Sequence, residues 1–394
     1  MIAISAVGVS LGLYNAYNVS RDERLATGPK SEAQREFFVE TSKRPDLAAF
    51  FKSLNHEQRV AMAKNIGRYD DPELATLIGI VLADFDAEAR AELTKSLAKL
   101  AQTHPDKVAE QLKLTGSFQS LAVTRALKTI GAEAVPLVVQ QLTVADARNN
   151  AIAFLVDTGE PAVEPLLAQL DHKELDVRKA AADALGKIGS PRAVSKLTAK
   201  YQATTGDEQI AYLAALSAIG SERNQSLFVQ NIRDEKLPLP NRALAAIGLG
   251  RIGNDEAARE LWKYVDHPDL DFRGQIVSAL QLAGDSALRV PGQRPEDVLQ
   301  VAEQVRTPLS ESLIRRGLEN GASAQALRAA ERRPALVPQL VAIVRNADPE
   351  EDGDVIAAAV EALDTTEQGQ AQLKQFESDP AIGGFVARRK HLAG

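Results

Sequence analysis

Along much of this chain apolar residues recur every three or four positions, in short runs that come in pairs. The stretch from Ala162 to Leu197 shows the unit. Val163, Leu166, Leu167 and Leu170 fall on one face of a short helix, and Asp171 to Leu175 form a polar connector. Asp176 is the expected N-cap of a second helix, whose apolar positions are Ala181, Ala182, Leu185 and Ile188. Gly189 supplies a left-handed stop, and Pro191 stands ready to open the next helix. Two helices of about a dozen residues cannot bury their apolar faces alone, so the unit requires neighbours.

The neighbours recur at a nearly fixed interval. Terminal glycines stand at Gly131, Gly159, Gly189, Gly220, Gly253 and Gly284, spaced 28, 30, 31, 33 and 31 residues apart. Four positions before each is a leucine: Leu127, Leu155, Leu185, Leu216, Leu249 and Leu280. Eleven before stands Arg148, Arg178, Arg242 or Arg273, with Ser120 and Gln209 as exceptions. Thirteen before stands Asp146, Asp176, Asp207 or Asp271, and here Phe118 and Pro240 break the column. Upstream, Glu88, Arg90 and Leu97 mark a further unit with Ala101 in place of the glycine, and another ends at Gly67. Downstream, Arg306, Leu313 and Gly317 restore the columns, and Asp354 and Leu363 mark a last unit.

Each column has a physical meaning. The leucine is a core knob, and the small residue before it (Ala126, Ala184, Ala215, Ala279) lets adjacent helices approach. The acidic residue suits the positive end of the second helix. The arginine opposes that end, so its expected use is hydrogen bonding to a neighbouring unit's connector or aspartate, a ladder between repeats. Pattern by pattern the chain resembles the HEAT-like repeat family, of the variety associated with phycobilisome lyases. The resemblance is close over residues 130–284 and weaker over 50–130 and 300–376. It implies an all-α fold, an α-solenoid of stacked helix pairs, and a protein-binding scaffold as the usual role.

The organisation read from the sequence has six parts. Residues 1–19 are an apolar helix, 20–46 a polar linker with a short helix over Glu32 to Thr41, and 47–284 the main array. Residues 285–297 are a Gly/Pro insertion, 298–376 degenerate repeats with a terminal helix, and 377–394 a mobile tail. Phe37 and Phe38 are expected to dock on the first repeat. Residues 2–19 admit three readings: a membrane anchor with tyrosines and asparagines at the interface, a cap on the array, or a secretory signal. A membrane-associated body on an unspecified side is the leading localisation, and a cytoplasmic protein the alternative.

Composition supports the array and removes several chemistries. Hydrophobic residues are 45% of the chain but aromatics only 5%, so the core is built from Ala, Leu, Val and Ile. A net charge of −7 provides no basic footprint for nucleic acid. Zero cysteines exclude disulfides, thiolate metal sites and cysteine nucleophiles. The five histidines do not cluster. His56-Glu57 is a lone copy of the dipeptide that metal-binding HEAT-repeat hydroxylases use several times over. Asp348 to Asp354 has the front of a calcium loop, but Ala359 stands where a bidentate glutamate is needed, so Asp354 reads as a helix cap. No phosphate loop or nucleophile elbow has a suitable setting. No cofactor, metal or catalytic residue is assigned.

Function then rests on the exposed face of the second helices. With the −11, −8, −7, −4 and −1 positions buried, the −10, −6 and −2 positions face outward as a wall. Those columns read Asn149, Ala153, Asp157; Lys179, Asp183, Lys187; Ile210, Ala214, Ala218; Ala243, Ile247, Arg251; and Gly274, Ser278, Leu282. The wall changes from charged to small and apolar near its middle. Ile210, Ala214, Ala218, Ile247 and Arg251 are therefore the candidate docking strip for a protein or peptide partner. The alternative is that the 288–295 loop or a second copy covers this strip. A non-enzymatic scaffold is the leading function. The runner-up, implied by the resemblance, is a chromophore lyase or lyase subunit acting on phycobiliproteins. A DNA-binding HEAT-like glycosylase is disfavoured because its wall should be basic.

Overall fold

The repeat columns become structure at the carboxyl end of each second helix. Leu127, Leu155, Leu185, Leu216, Leu249 and Leu280 are all completely buried. All six terminal glycines have positive φ, between +59° and +74°. At Gly189, Gly220 and Gly253 the turn is left-handed, and the glycine N–H donates back to the carbonyl of the column leucine at 3.0–3.1 Å. A residue with a Cβ would pay roughly 1–2 kcal/mol for that backbone. Where Ala101 replaces glycine, the helix runs on to Thr103. Gly67 closes its helix in the right-handed region, at φ −66°, so this unit too lacks the turn that marks the six glycine units.

The amino ends differ from expectation. Glu174, not Asp176, is the N-cap of Leu175–Ile188, and it makes no side-chain cap bond. Asp176 lies inside the first turn, where it complements the positive helix end without reaching back to it. Asp354 is likewise inside the first turn of Gly353–Asp364, behind Asp352. Side-chain caps form instead at Asn55, Asn254, Asp269, Thr307, Ser323 and Thr366.

The computed structural model describes residues 21–41, 43, 50, 53–82, 87–114 and 116–392, with side chains to 388. The fold is an all-α solenoid of stacked helix pairs, and among the described residues there is no strand. The chain divides into two units, residues 1–196 and 197–394. In the first, His56–Ile66, Ala87–Thr103, Ser117–Lys128, Arg148–Thr158 and Leu175–Ile188 are the second helices of successive pairs. Their partners include Leu74–Val81, Pro105–Ala109, Ala134–Gln140 and Val163–Gln169. In the second, Gly206–Ile219, Leu239–Ile252, Leu270–Ala283, Pro308–Glu319 and Gly353–Asp364 form the corresponding layer.

Two expectations about the ends are corrected. The Glu32–Thr41 helix exists, but it is no tethered linker. Phe38 is fully buried with its ring 6.0 Å from that of Tyr69, while Phe37 is half-buried beside Phe50. Asn65 Nδ2 donates to the Ala26 and Gly28 carbonyls, Gln34 Nε2 donates to Leu25 and Gly28, and Arg35 pairs with Asp71 at 2.5 Å. These bonds satisfy carbonyls at the carboxyl end of the segment's own first helix and tie residues 21–41 onto the first unit. The segment expected to be a mobile tail contains the helix Gly383–Leu392. Ile382 and Val386, one turn apart, are buried, and the helix packs on Gly353–Asp364. The 288–295 loop is anchored by Arg289 to Asp255 and by Arg294 to Asp266, after Ala287 has accepted from the Trp262 indole. No helix among the described residues is long and apolar enough to cross a membrane. The anchor, cap or signal expected over residues 2–19 lies outside the described residues.

Candidate functional site

The arginine column does form contacts between units, with two targets. Arg148 donates from Nε to the Leu142 carbonyl of its own connector and from Nη1 to Asp176 of the next unit, at 2.9 and 3.3 Å. Arg178 donates to the carbonyls of His172 and Lys173 in its own connector. Arg90 lies 4.4 Å over the ring of Phe118, the residue that replaces the aspartate in the next unit. Where Ser120 replaces arginine, its hydroxyl donates to Asn150. The column is structural: it ties connector to helix and helix to helix.

The outward columns lie where the spacing puts them. None of the fifteen wall residues is buried: Asn149, Ala153, Asp157, Asp183, Lys187, Arg251, Gly274, Ser278 and Leu282 are exposed, and the rest half-buried. The −8, −7 and −4 positions beneath them are buried throughout; −11, expected to be buried, is half-buried except at Arg242, and −1 is half-buried except at Ala283. In the first unit the wall's Asp157 pairs with Lys128 of the preceding second helix, and Lys187 pairs with Asp183. In the second unit Ile210, Ala214, Ala218, Ala243 and Ile247 follow without a charge until Arg251.

Ile247 opens into a groove of about 540 Å³ between Leu239–Ile252 and Leu270–Ala283. Ala243, Leu244, Leu239 and Pro240 line one side, Phe272 and Gln275 the other, and Asp269 and Asp271 stand at its end. Of these the sequence had placed Ala243 and Ile247 on the wall, and only Ile247 in the candidate strip. Phe272 is 3% exposed and held firmly: Tyr264 meets it edge-on at 6.3 Å, His267 at 4.7 Å, and the Arg242 guanidinium lies 5.1 Å over it. Burial raises the Tyr264 pKa, so the phenol stays neutral. Near their carboxyl ends the two helices meet backbone to backbone: a Cβ on Gly250 would sit 2.3 Å from the Ala279 carbonyl oxygen. The break of the acidic column at Pro240 was the one sequence signal that pointed here.

Among the described residues no group of three or more His, Asp or Glu could hold a metal ion. His56 and His104 instead meet Glu88 and Asp70 singly. Asp348, expected to resemble a calcium loop, accepts from the Glu350 N–H and donates its own N–H to Asp352.

The family described as HEAT repeats matches residues 135–220, the same span in which the glycine, leucine and arginine columns are strongest. Over residues 135–220 the repeats are similar to HEAT repeats. Phycocyanobilin lyase subunit beta of Thermosynechococcus vestitus (strain NIES-2133 / IAM M-273 / BP-1) is 32% identical over 133 residues. That match takes in 34% of this chain and 58% of the relative, little more than half its length. Among solved structures, a chain from the work on how Kap95p binding induces the switch loops of RanGDP to adopt the GTP-bound conformation is 15% identical. It covers 90% of this HEAT-like chain and 54% of its own, with a TM-score of 0.39. An engineered protein, 19% identical, covers 68% of this chain and 97% of its own at a TM-score of 0.22. Scores that low add nothing to what the repeat columns establish about the HEAT-like fold.

Proposed function

We propose that this HEAT-like array is a non-enzymatic scaffold that holds an apolar segment of a partner protein along the second-helix wall of its second unit. Ile210, Ala214, Ala218, Ile247 and Arg251 form the docking strip, and the groove beside Ile247 takes its main anchor. The observation that carries this reading is the change in the wall from paired charges to an uncharged run ending in a groove with a rigid aromatic floor. An apolar run on a solvated face gains stability only when something covers it. The 288–295 loop is anchored to Asp255 and Asp266 and does not line the groove beside Ile247, which stays half-exposed. The test is selection from a randomised phage-displayed peptide library on the full chain. Peptides enriched on the wild type should fail to bind Ile247→Asp and Ala243→Trp, while melting curves show both variants folded. Enrichment unaffected by either change would defeat the reading.

A second reading rests on the similarity to phycocyanobilin lyase subunit beta: the chain is a subunit of a chromophore lyase. Incubation of the full chain, alone and with a candidate partner subunit, with phycocyanobilin and an apo-phycobiliprotein tests it. Appearance of a covalent bilin adduct above the uncatalysed background supports the lyase, and background attachment alone rejects it.

A further inference from the structure

Beside the groove one carboxylate of the aspartate column is free. Arg148 pairs with Asp176 of the next unit, whereas Arg178 turns to its own connector. A contact like the first would join Arg242 to Asp271. That contact does not form. Arg242 is 7% exposed, donates from Nε to the Ile232 carbonyl, and spreads its guanidinium over Tyr264 and Phe272. The Asp271 carboxylate is exposed and has no ion-pair or hydrogen-bond partner among the described residues. Asp269, two residues earlier, uses one carboxylate oxygen to cap the helix through the Phe272 N–H at 2.8 Å and is itself exposed. Leu270 between them is 68% exposed, a large apolar side chain beside two carboxylates.

We infer that the groove selects a partner segment in which a large apolar residue is flanked by lysine or arginine. The inference deepens the scaffold reading and rests on it. The apolar residue enters between Ala243, Leu244 and Ile247 over the Phe272 ring, and the cation meets Asp271 and Asp269 at the groove's end. The positive end of Leu270–Ala283 opposes a cation there, but it amounts to about half a charge against two carboxylates, so attraction wins. The Phe272 ring over which Arg242 spreads is also the groove's floor.

The test compares the peptides that the phage-displayed library yields on wild type and on Asp271→Lys. Asp271 is exposed, so this change leaves the core untouched. Wild type should enrich peptides with Lys or Arg beside a large apolar residue, and Asp271→Lys should enrich Asp or Glu at that place. A basic peptide selected on wild type should bind Asp271→Lys roughly 5-fold or more weakly, and its charge-swapped form should recover. Peptides that require Ile247 and Ala243 but bind wild type and Asp271→Lys alike would overturn the charge rule while leaving the docking strip in place. Peptides indifferent to Ile247 and Ala243 would overturn both.

Discussion

Leu185 and Leu249 are each fully buried, four residues before a left-handed glycine, yet the faces opposite them carry different chemistry. On Leu175–Ile188 the outward column reads Lys179, Asp183, Lys187, and Asp183 is paired with Lys187 on the same helix. On Leu239–Ile252 it reads Ala243, Ile247, Arg251, and Ile247 opens into a groove. A repeat separates two selections acting on one helix. The buried face must match its neighbours in every unit, while the outward face is free to vary. Uniformity inside with variation outside is what a scaffold needs, and a change of outward chemistry marks where to look for a partner.

The first way to break this comparison is to attack what the two helices share. Leu185→Ala and Leu249→Ala should each destabilise by about 2–5 kcal/mol, since both leucines are completely buried and each change leaves a cavity. Chemical unfolding of the full chain measures both. If either change proves neutral, the two helices do not share a core register and the comparison of their outer faces loses its basis.

The back of the second unit provides the next test. Glu260 is 5% exposed and accepts two bonds from Arg233, at 2.7 and 2.5 Å, and one from Lys263 at 2.6 Å. The Arg233 bond holds its carboxyl below the usual glutamate range against the opposing effect of burial. The folded state therefore takes up this proton less readily than the unfolded chain does. The stabilisation is present in full above the ordinary glutamate range and is lost as pH falls through the depressed folded value. Melting temperature followed from neutral to acid pH should fall less steeply in Glu260→Gln than in wild type. Equal slopes would mean that the exposed Arg233 gives the carboxylate no net preference.

Much of this was legible before any coordinates, for reasons that are local. A glycine at positive φ and a leucine one turn earlier are contacts within one helix end, so their spacing carried the fold directly. The −10, −6 and −2 columns follow from helical geometry once that register is set, and Ile247 came with them. The groove did not, because Phe272 and Leu239 become neighbours only through the packing of two helices. Arg333 was hidden for the same reason. It is 2% exposed and donates to the carbonyls of Ala302, Glu303 and Val305 from some thirty residues away, closing the end of Pro295–Ala302. Burial, with Arg306 nearby, lowers its pKa to about 10, which leaves it charged at neutral pH. The Gly383–Leu392 helix reads as a mobile tail because it ends the sequence, and its docking on Gly353–Asp364 is a contact between elements. In the fold Gly383 is a close-packed position, where a Cβ would lie 2.8 Å from the Glu377 carbonyl oxygen.

A third test exchanges the two walls' chemistry. Ala153→Asp places a charge on an exposed position of the first unit and should leave both stability and peptide binding unchanged. Ile247→Asp places the same charge in the groove, and should cost about 1 kcal/mol or less in stability because the side chain is only half-buried. Peptide binding should nevertheless be lost. A large fall in melting temperature for Ile247→Asp would make it a core residue, and the difference between the walls would vanish.

The smallest expected effect tests whether the charged wall is as inert as its pairing implies. Lys187 and Asp183 lie one turn apart at 2.8 Å, with side chains about half exposed. Lys128 and Asp157 join two neighbouring helices in the same unit and are similarly exposed. Such pairs gain little because water already solvates both ions and the long lysine side chain loses freedom on pairing. Lys187→Ala should therefore cost about 0.5 kcal/mol or less, and Lys128→Ala no more than about 1 kcal/mol. Salt decides what the residual means. A surface pair weakens as the Debye length shrinks, so the difference between Lys128→Ala and wild type should close between low ionic strength and about 1 M salt. A cost that persisted in high salt would come from the lysine's packed methylenes and not from its charge. A cost well above 1 kcal/mol would mean that the wall of the first unit also helps to hold its helices together, and that only the uncharged wall is free to serve a partner.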